Sequence, residues 1–207
     1  MAPSVLVLAL LYGAMVPLGG VLGAKQVALG PLAVEAGIFP FLILIATSSA
    51  MAELHGPAAA RRLVGWGFGA LGLAIALTLG VLALPADPAM YAPAKAAFPV
   101  ILGQSWRMMA AGVVAYGVSV NLNVALFARL GAAGSLPAPL RGTIAAALSQ
   151  IVDTGLFISL SFWGVRPIGA LMAGQLVAKL GLSAVLVPGL IGALVALGRR
   201  MDAAPTA

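Results

Sequence analysis

An all-α integral membrane protein, a bundle of six transmembrane helices with both termini cytoplasmic, is the fold class this sequence predicts, on three observations. Hydrophobic residues make up 62% of the 207-residue chain and charged residues 8%, with a mean hydropathy of +1.13. A soluble domain carries roughly 25% charged residues, because most of a small domain is surface. The apolar residues fall in runs near the roughly 20 that cross a hydrocarbon core about 30 Å thick, and they do not alternate as barrel strands would. Proline, glycine and charge punctuate the runs.

The runs read as spans at 4–24, 31–52, 63–84, 101–129, 142–164 and 168–197, in a single transmembrane domain over residues 1–207. Span one lacks the basic start of a secretory signal and stays apolar to about Gly23, longer than the roughly 7–15 residues of a signal core. Span two contains Gly37-Ile38-Phe39-Pro40-Phe41. Pro40 lacks a backbone donor, so the helix kinks or starts anew there, with Phe39 or Phe41 turned to a cavity or to lipid. Span three ends at a loop from Pro85 to Lys95 too rich in proline to continue a helix, and Gly131 to Arg141 separates spans four and five, dividing the bundle 4+2. The side holding both termini carries Arg61, Arg62, Arg129, Arg141, Arg199 and Arg200, against Lys25, Lys95 and Arg166 on the other. The positive-inside rule then puts both termini in the cytoplasm.

Several chemistries are excluded. The net charge of +6 is scattered between apolar segments, so no nucleic-acid partner is expected. Without cysteine there is no disulfide, thiolate metal site or thiol nucleophile. His55 is the one histidine and no paired acidic motif occurs, so neither a metal site, a cofactor nor an enzyme is expected. Glu53, His55, Arg61 and Arg62, at the turn after span two, read as a solvated anchor at the headgroups.

The chemistry concentrates in four ionisable residues inside the proposed spans: Glu35, Arg107, Asp153 and Lys179. Each costs about 2.5–3.5 kcal/mol to insert, so they face the bundle interior and pair. In span four, Gln104, Arg107 and Asn121 fall within about 100° of one another, while Ser119 and Asn123 point away as helix-contact residues. Gln150, Asp153 and Phe157 share a face of span five, and Met172, Gln175, Lys179 and Ser183 share one of span six. By depth these groups converge on the half away from the termini. They form either a small-molecule site or an ion pair, Asp153 with Arg107 or Lys179, that locks the bundle.

The run Ser149-Gln150-Ile151-Val152-Asp153-Thr154-Gly155-Leu156-Phe157, with Phe162-Trp163-Gly164, resembles the signature fifth helix of the VUT family of queuosine precursor transporters. Lys25, Phe39-Pro40, the run from Glu53 through Gly56 to Ala60-Arg61-Arg62, Arg107, Gln175, Lys179 and Pro188 fit it in order and spacing. The chain departs from it at Gly20, where the family commonly has Asn, and near Ser49, where it has Asp. The resemblance implies a fold like the substrate-binding subunits of energy-coupling-factor transporters. It also implies uptake of 7-cyano-7-deazaguanine or its aminomethyl relative across a bacterial inner membrane. Asp153 or Glu35 would accept the donor edge of that deazapurine, Arg107 or Lys179 would meet its carbonyl, and Phe39, Gln104, Asn121, Gln150, Phe157 and Gln175 would complete the contacts. The alternatives are a capture subunit served by a separate ATPase module and a non-transporting bundle; a homo-oligomer is compatible with any of these.

Overall fold

The computed structural model describes residues 2–29, 32–103, 106–134, 136–164 and 168–203. Its elements run α1 Pro3–Gly23, β1 Gln26–Leu29, β2 Leu32–Glu35, α2 Ile38–His55, α3 Pro57–Leu82, α4 Ala92–Leu102, α5 Trp106–Ala133, α6 Ala138–Phe162 and α7 Gly169–Ala203. Among the described residues, six helices, all but α4, are long and apolar enough to cross a membrane. Proline stands in the first turn of α1, α3, α4 and α6, where its missing N–H would have had no helical partner. Between α2 and α3 the backbone at Gly56 takes φ +87° and its amide closes α2 on the Ala52 carbonyl at 3.0 Å. Pro57 then starts α3, so two spans are joined by a single glycine in the left-handed region.

The central helix is α2. Every residue from Leu44 to Ala52 is buried, the signature of a helix enclosed on all sides, and α1, α3, α5, α6 and α7 pack around it. Around α2, Leu8, Tyr12 and Val16 of α1, Val120, Val124 and Phe127 of α5, and Val187, Ile191 and Val195 of α7 supply stripes at three- and four-residue spacing. Lipid is as apolar as leucine, so these contacts hold the bundle by dispersion and fit instead of by transfer from water. The amide of Ser4 donates to Asp202 at 3.0 Å, which brings the start of α1 and the end of α7 to one end of the bundle, the terminal end.

Several boundaries differ from the sequence reading, among them the start of span three, which moves from 63 to Pro57. Residues 32–35, read as the start of span two, are a strand paired antiparallel with β1 in the register Gln26↔Glu35, Val27↔Val34. A short apolar run fits a strand as well as a helix turn, and β-branched Val27 and Val34 tip it to the hairpin. Glu35 therefore lies outside the spans. Helix α2 starts at Ile38 with Pro40 in its first turn, so of the two readings of that segment the helix starts anew there and does not kink. Part of the proline-rich loop is the short helix α4, with Pro93 in its first turn, and it stops at Leu102, so residues 101–129 are not one helix. At the terminal end α5 runs to Ala133 and α6 starts at Ala138, shortening the expected loop and placing Arg141 inside a helix. Helix α7 continues past 197 to Ala203 and carries Arg199, Arg200 and Asp202 with it.

Candidate functional site

At the end away from the termini the helices enclose a cavity of about 280 Å³, just under the roughly 300–1,000 Å³ of sites for drug-sized ligands. One wall is rich in glycine: Gly19, Gly20 and Gly23 of α1 and Gly37 before α2 line it, and Gly112 of α5 lines the cavity as well. A Cβ on Gly37 would stand 2.7 Å from the Gly19 carbonyl oxygen and 3.1 Å from the Gly23 Cα, so only glycine lets these backbones meet. The outer half of α3 supplies Leu71, Ala74, Ile75 and Thr78 to the cavity, and no α3 residue beyond Gly67 is buried.

The polar centre is an ion pair. Lys179 Nζ on α7 donates to Asp153 Oδ2 on α6 at 2.9 Å, and Ser119 Oγ on α5 donates to the other oxygen, Oδ1, at 3.1 Å. Asp153 is 7% exposed, and both charges line the cavity. Each helix contributes one group at a depth where an unpaired charge is costly, so the pair ties α5, α6 and α7 together. The Lys179 ammonium also lies 5.9 Å from the centroid of the Phe41 ring. Phe41 meets Tyr116 edge-on at 6.5 Å, and Tyr116 meets Phe68 at 5.0 Å. The Tyr116 hydroxyl donates to that of Tyr12 at 2.5 Å, closing the aromatic floor on α1. Phe157, one turn beyond Asp153, adds a further ring. A carboxylate, an ammonium and aromatic faces thus border one small space.

Among the expected site residues the structure brings Asp153, Lys179 and Phe157 together in this cavity. Gln150 and Gln175 are buried beside them, one on α6 and one on α7, without lining it. Phe39 is 38% exposed, and Phe41 is the ring of that pair in the cavity. Asn121 is exposed, its amide turned back to the Gly117 carbonyl of its own helix at 2.8 Å. Gln104 and the side chains of Glu35 and Arg107 lie outside the described residues. Ser119 and Asn123, read as helix contacts, are fully buried; Ser119 holds Asp153, and the Asn123 amide reaches the hydroxyls of Ser48 and Ser49 at 3.4 and 3.3 Å. Their signal was the four-residue stripe of small side chains Ala111, Ala115, Ser119 and Asn123, which marks the inward face of α5. Several buried polar atoms have no protein partner: both amide atoms of Gln150, the Asn123 amide oxygen, and the Thr154 and Ser183 hydroxyls.

The terminal end has its own polar groups, arranged to close. Glu53 of α2 binds Arg141 of α6 and stands 3.8 Å from Arg199 of α7. The Arg141 guanidinium lies 4.7 Å over the Phe127 ring. Ser4 Oγ donates to Asp202 at 2.7 Å and lies 2.6 Å from His55 Nε2. Serine, histidine and aspartate meet here, but the carboxylate binds the hydroxyl directly and the imidazole through the same nitrogen, which is not the relay of a hydrolase triad. Arg61 and Arg62, expected in the turn, are exposed on the second turn of α3. Among the described residues no three acidic or histidine side chains converge as metal ligands.

The family model described as "Putative vitamin uptake transporter" matches residues 35–193, which spans α2 through most of α7 and so includes the Asp153–Lys179 ion pair and every cavity wall except that of α1. No curated protein and no solved structure matches the chain.

Proposed function

This chain belongs to the vitamin uptake transporter family, and from that premise we propose that it imports a queuosine precursor, 7-cyano-7-deazaguanine or its aminomethyl relative, across a bacterial inner membrane. The termini are taken to be cytoplasmic, which turns the cavity to the outside. That a multi-pass membrane protein of this family transports is the coarser statement; the cargo is the finer one. The observation that carries it is the Asp153–Lys179 pair opening on a space bordered by Phe41, Tyr116 and Phe157.

A deazaguanine has two adjacent N–H donors beside a carbonyl. A carboxylate accepts both donors, and an ammonium on the same side meets the carbonyl. The rings on the cavity floor offer edges and faces to the heterocycle. The cargo is uncharged at this edge, so the edge replaces the attraction between Asp153 and Lys179 without itself bringing charge to the pair.

Purified protein in liposomes tests the reading. Saturating 7-cyano-7-deazaguanine at about a hundred times its Kd should stabilise the fold by about 2.7 kcal/mol, and uptake should proceed without ATP. Asp153→Asn should abolish both while the variant still folds in detergent. Absence of binding by the wild type to any deazapurine overturns the cargo. Binding without uptake points to a capture subunit that needs a separate ATPase module.

A further inference from the structure

One helical turn below the ion pair, toward the terminal end, lies a second polar layer that the cavity does not reach. Its level follows from the hydrogen bonds around Asp153. Ser119 on α5 and Lys179 on α7 mark the depth of Asp153 on α6, and α6 runs opposite to both neighbours. Moving three residues back along α6 gives Gln150, and four forward along α5 and α7 gives Asn123 and Ser183. Each step is about 4.5–6 Å in the same direction. All three side chains are 0% exposed. Ser48 and Ser49 of α2 join them through Asn123, so four helices contribute to one level. Every member is uncharged. Both amide atoms of Gln150, the Asn123 amide oxygen and the Ser183 hydroxyl lack a protein partner, although buried polar groups are nearly always hydrogen-bonded. Below this level the side chains turn apolar, with Phe127, Ala145, Ala146 and Ile191 fully buried above the Glu53–Arg141 contact.

We propose that this amide and hydroxyl layer is a second binding station on the transport path, roofed by the Asp153–Lys179 pair, and that it takes a planar heterocycle by an uncharged lactam edge. The Gln150 carboxamide presents one N–H and one carbonyl side by side, the complement of a lactam that presents one carbonyl and one N–H. The upper station is ionic and selects a ligand that satisfies both charges. The lower one is neutral and receives the same edge once the pair has parted. Each partner then leaves one set of hydrogen bonds as it enters another, so the ligand's polar edge is not stripped of partners midway. The inference rests on the import reading for the identity of the cargo, but not for the existence of the layer or its roof.

The chain has no cysteine, so a single introduced thiol reports its own surroundings. Ser183→Cys, reconstituted in liposomes, should react slowly with a small cationic methanethiosulfonate, and at least tenfold faster when the roof is removed by the charge-free pair Asp153→Asn with Lys179→Met. Val185→Cys, on the 77%-exposed outer face of the same helix, should not change. No acceleration in a roofless variant that melts within a few degrees of its parent overturns the proposal, whatever the cargo is. Adding 7-cyano-7-deazaguanine to the intact pair should accelerate labelling in the same sense. If the roofless variant responds and the deazaguanine does not, the layer stands and the cargo reading falls. In a second arm, Gln150→Leu should hold deazaguanine within threefold of the wild-type Kd while uptake drops tenfold or more; equal loss of binding and uptake, or no loss of either, overturns the station.

Discussion

The two ends of the bundle are built from the same helices and meet opposite demands. At the far end, glycines thin one wall, the outer half of α3 has no buried residue, and one ion pair stands at the bottom of an open space. At the terminal end the described polar groups bind one another: Glu53 holds Arg141 and Arg199, Asp202 holds Ser4 beside His55, and Phe127 lies under the Arg141 guanidinium. Ion pairs near solvent contribute little singly, but these join α1, α2, α6 and α7 across the bundle, so their effect is on relative helix position. The difference teaches how one chain separates access from closure. The open end leaves its polar groups facing a cavity, and the closed end binds its own to one another. Transport requires the reverse arrangement in turn, so the terminal contacts must be breakable within the few kcal/mol of a conformational equilibrium.

The largest effect should come from unbalancing the pair at the open end. Lys179→Met leaves the Asp153 carboxylate buried without its counter-charge, and breaking such a pair costs about 3–5 kcal/mol. The double variant with Asp153→Asn should recover most of that stability and none of the uptake. Thermal melts in detergent and liposome uptake, read side by side, separate the two roles; recovery of both would make the pair purely structural.

Next comes the closed end. Glu53→Gln removes the charge shared by Arg141 and Arg199, and a partly buried guanidinium left without it should cost about 1–3 kcal/mol. Because the cavity is untouched, ligand affinity at the open end should change by less than about threefold. A large drop in affinity would mean the two ends are coupled more tightly than their separate contacts imply.

Of similar size is the glycine contact between α1 and the start of α2. Gly37→Ala drives a methyl into the backbone of Gly19 and Gly23, which no rotamer change relieves, and overpacking of this kind costs about 1–3 kcal/mol. Gly13→Ala on α1, with nothing within 4 Å of its new Cβ, is the control and should melt with the wild type. If both behave alike, the glycine wall is permissive and not required.

How far the sequence could be read follows from what each signal depends on. The six spans depend on hydropathy alone, and they stand among the described residues with shifted ends, most of all the start of the fourth, which moves from 101 to Ala110. The hairpin and α4 depend on short segments in which apolar residues and prolines suit more than one structure, and both were read as something else. Within the site, Asp153 and Lys179 announce themselves because a charge in a span has few places to go. Ser119 does not, since a hydroxyl at that depth satisfies its own helix as readily as a neighbour. Anchoring the inward face of α5 on Gln104 and Arg107 rotated the expectation toward Asn121, whereas the small residues from Ala111 to Asn123 had the face right.

Asn121 therefore gives the smallest prediction and the sharpest check of that rotation. It is exposed, its amide hydrogen is spent on Gly117 of its own helix, and on this geometry it looks away from both polar layers. Asn121→Leu should leave uptake unchanged and shift stability by no more than about 0.5 kcal/mol, as for other surface positions. Asn123→Leu, two residues on and fully buried against Ser48 and Ser49, removes a partner from the lower layer and should slow uptake. The order of the two effects tests the inward face directly: if Asn121→Leu is the damaging change, α5 is turned by roughly half a helix relative to α6, and the Ser119 contact that sets the level of the lower layer goes with it.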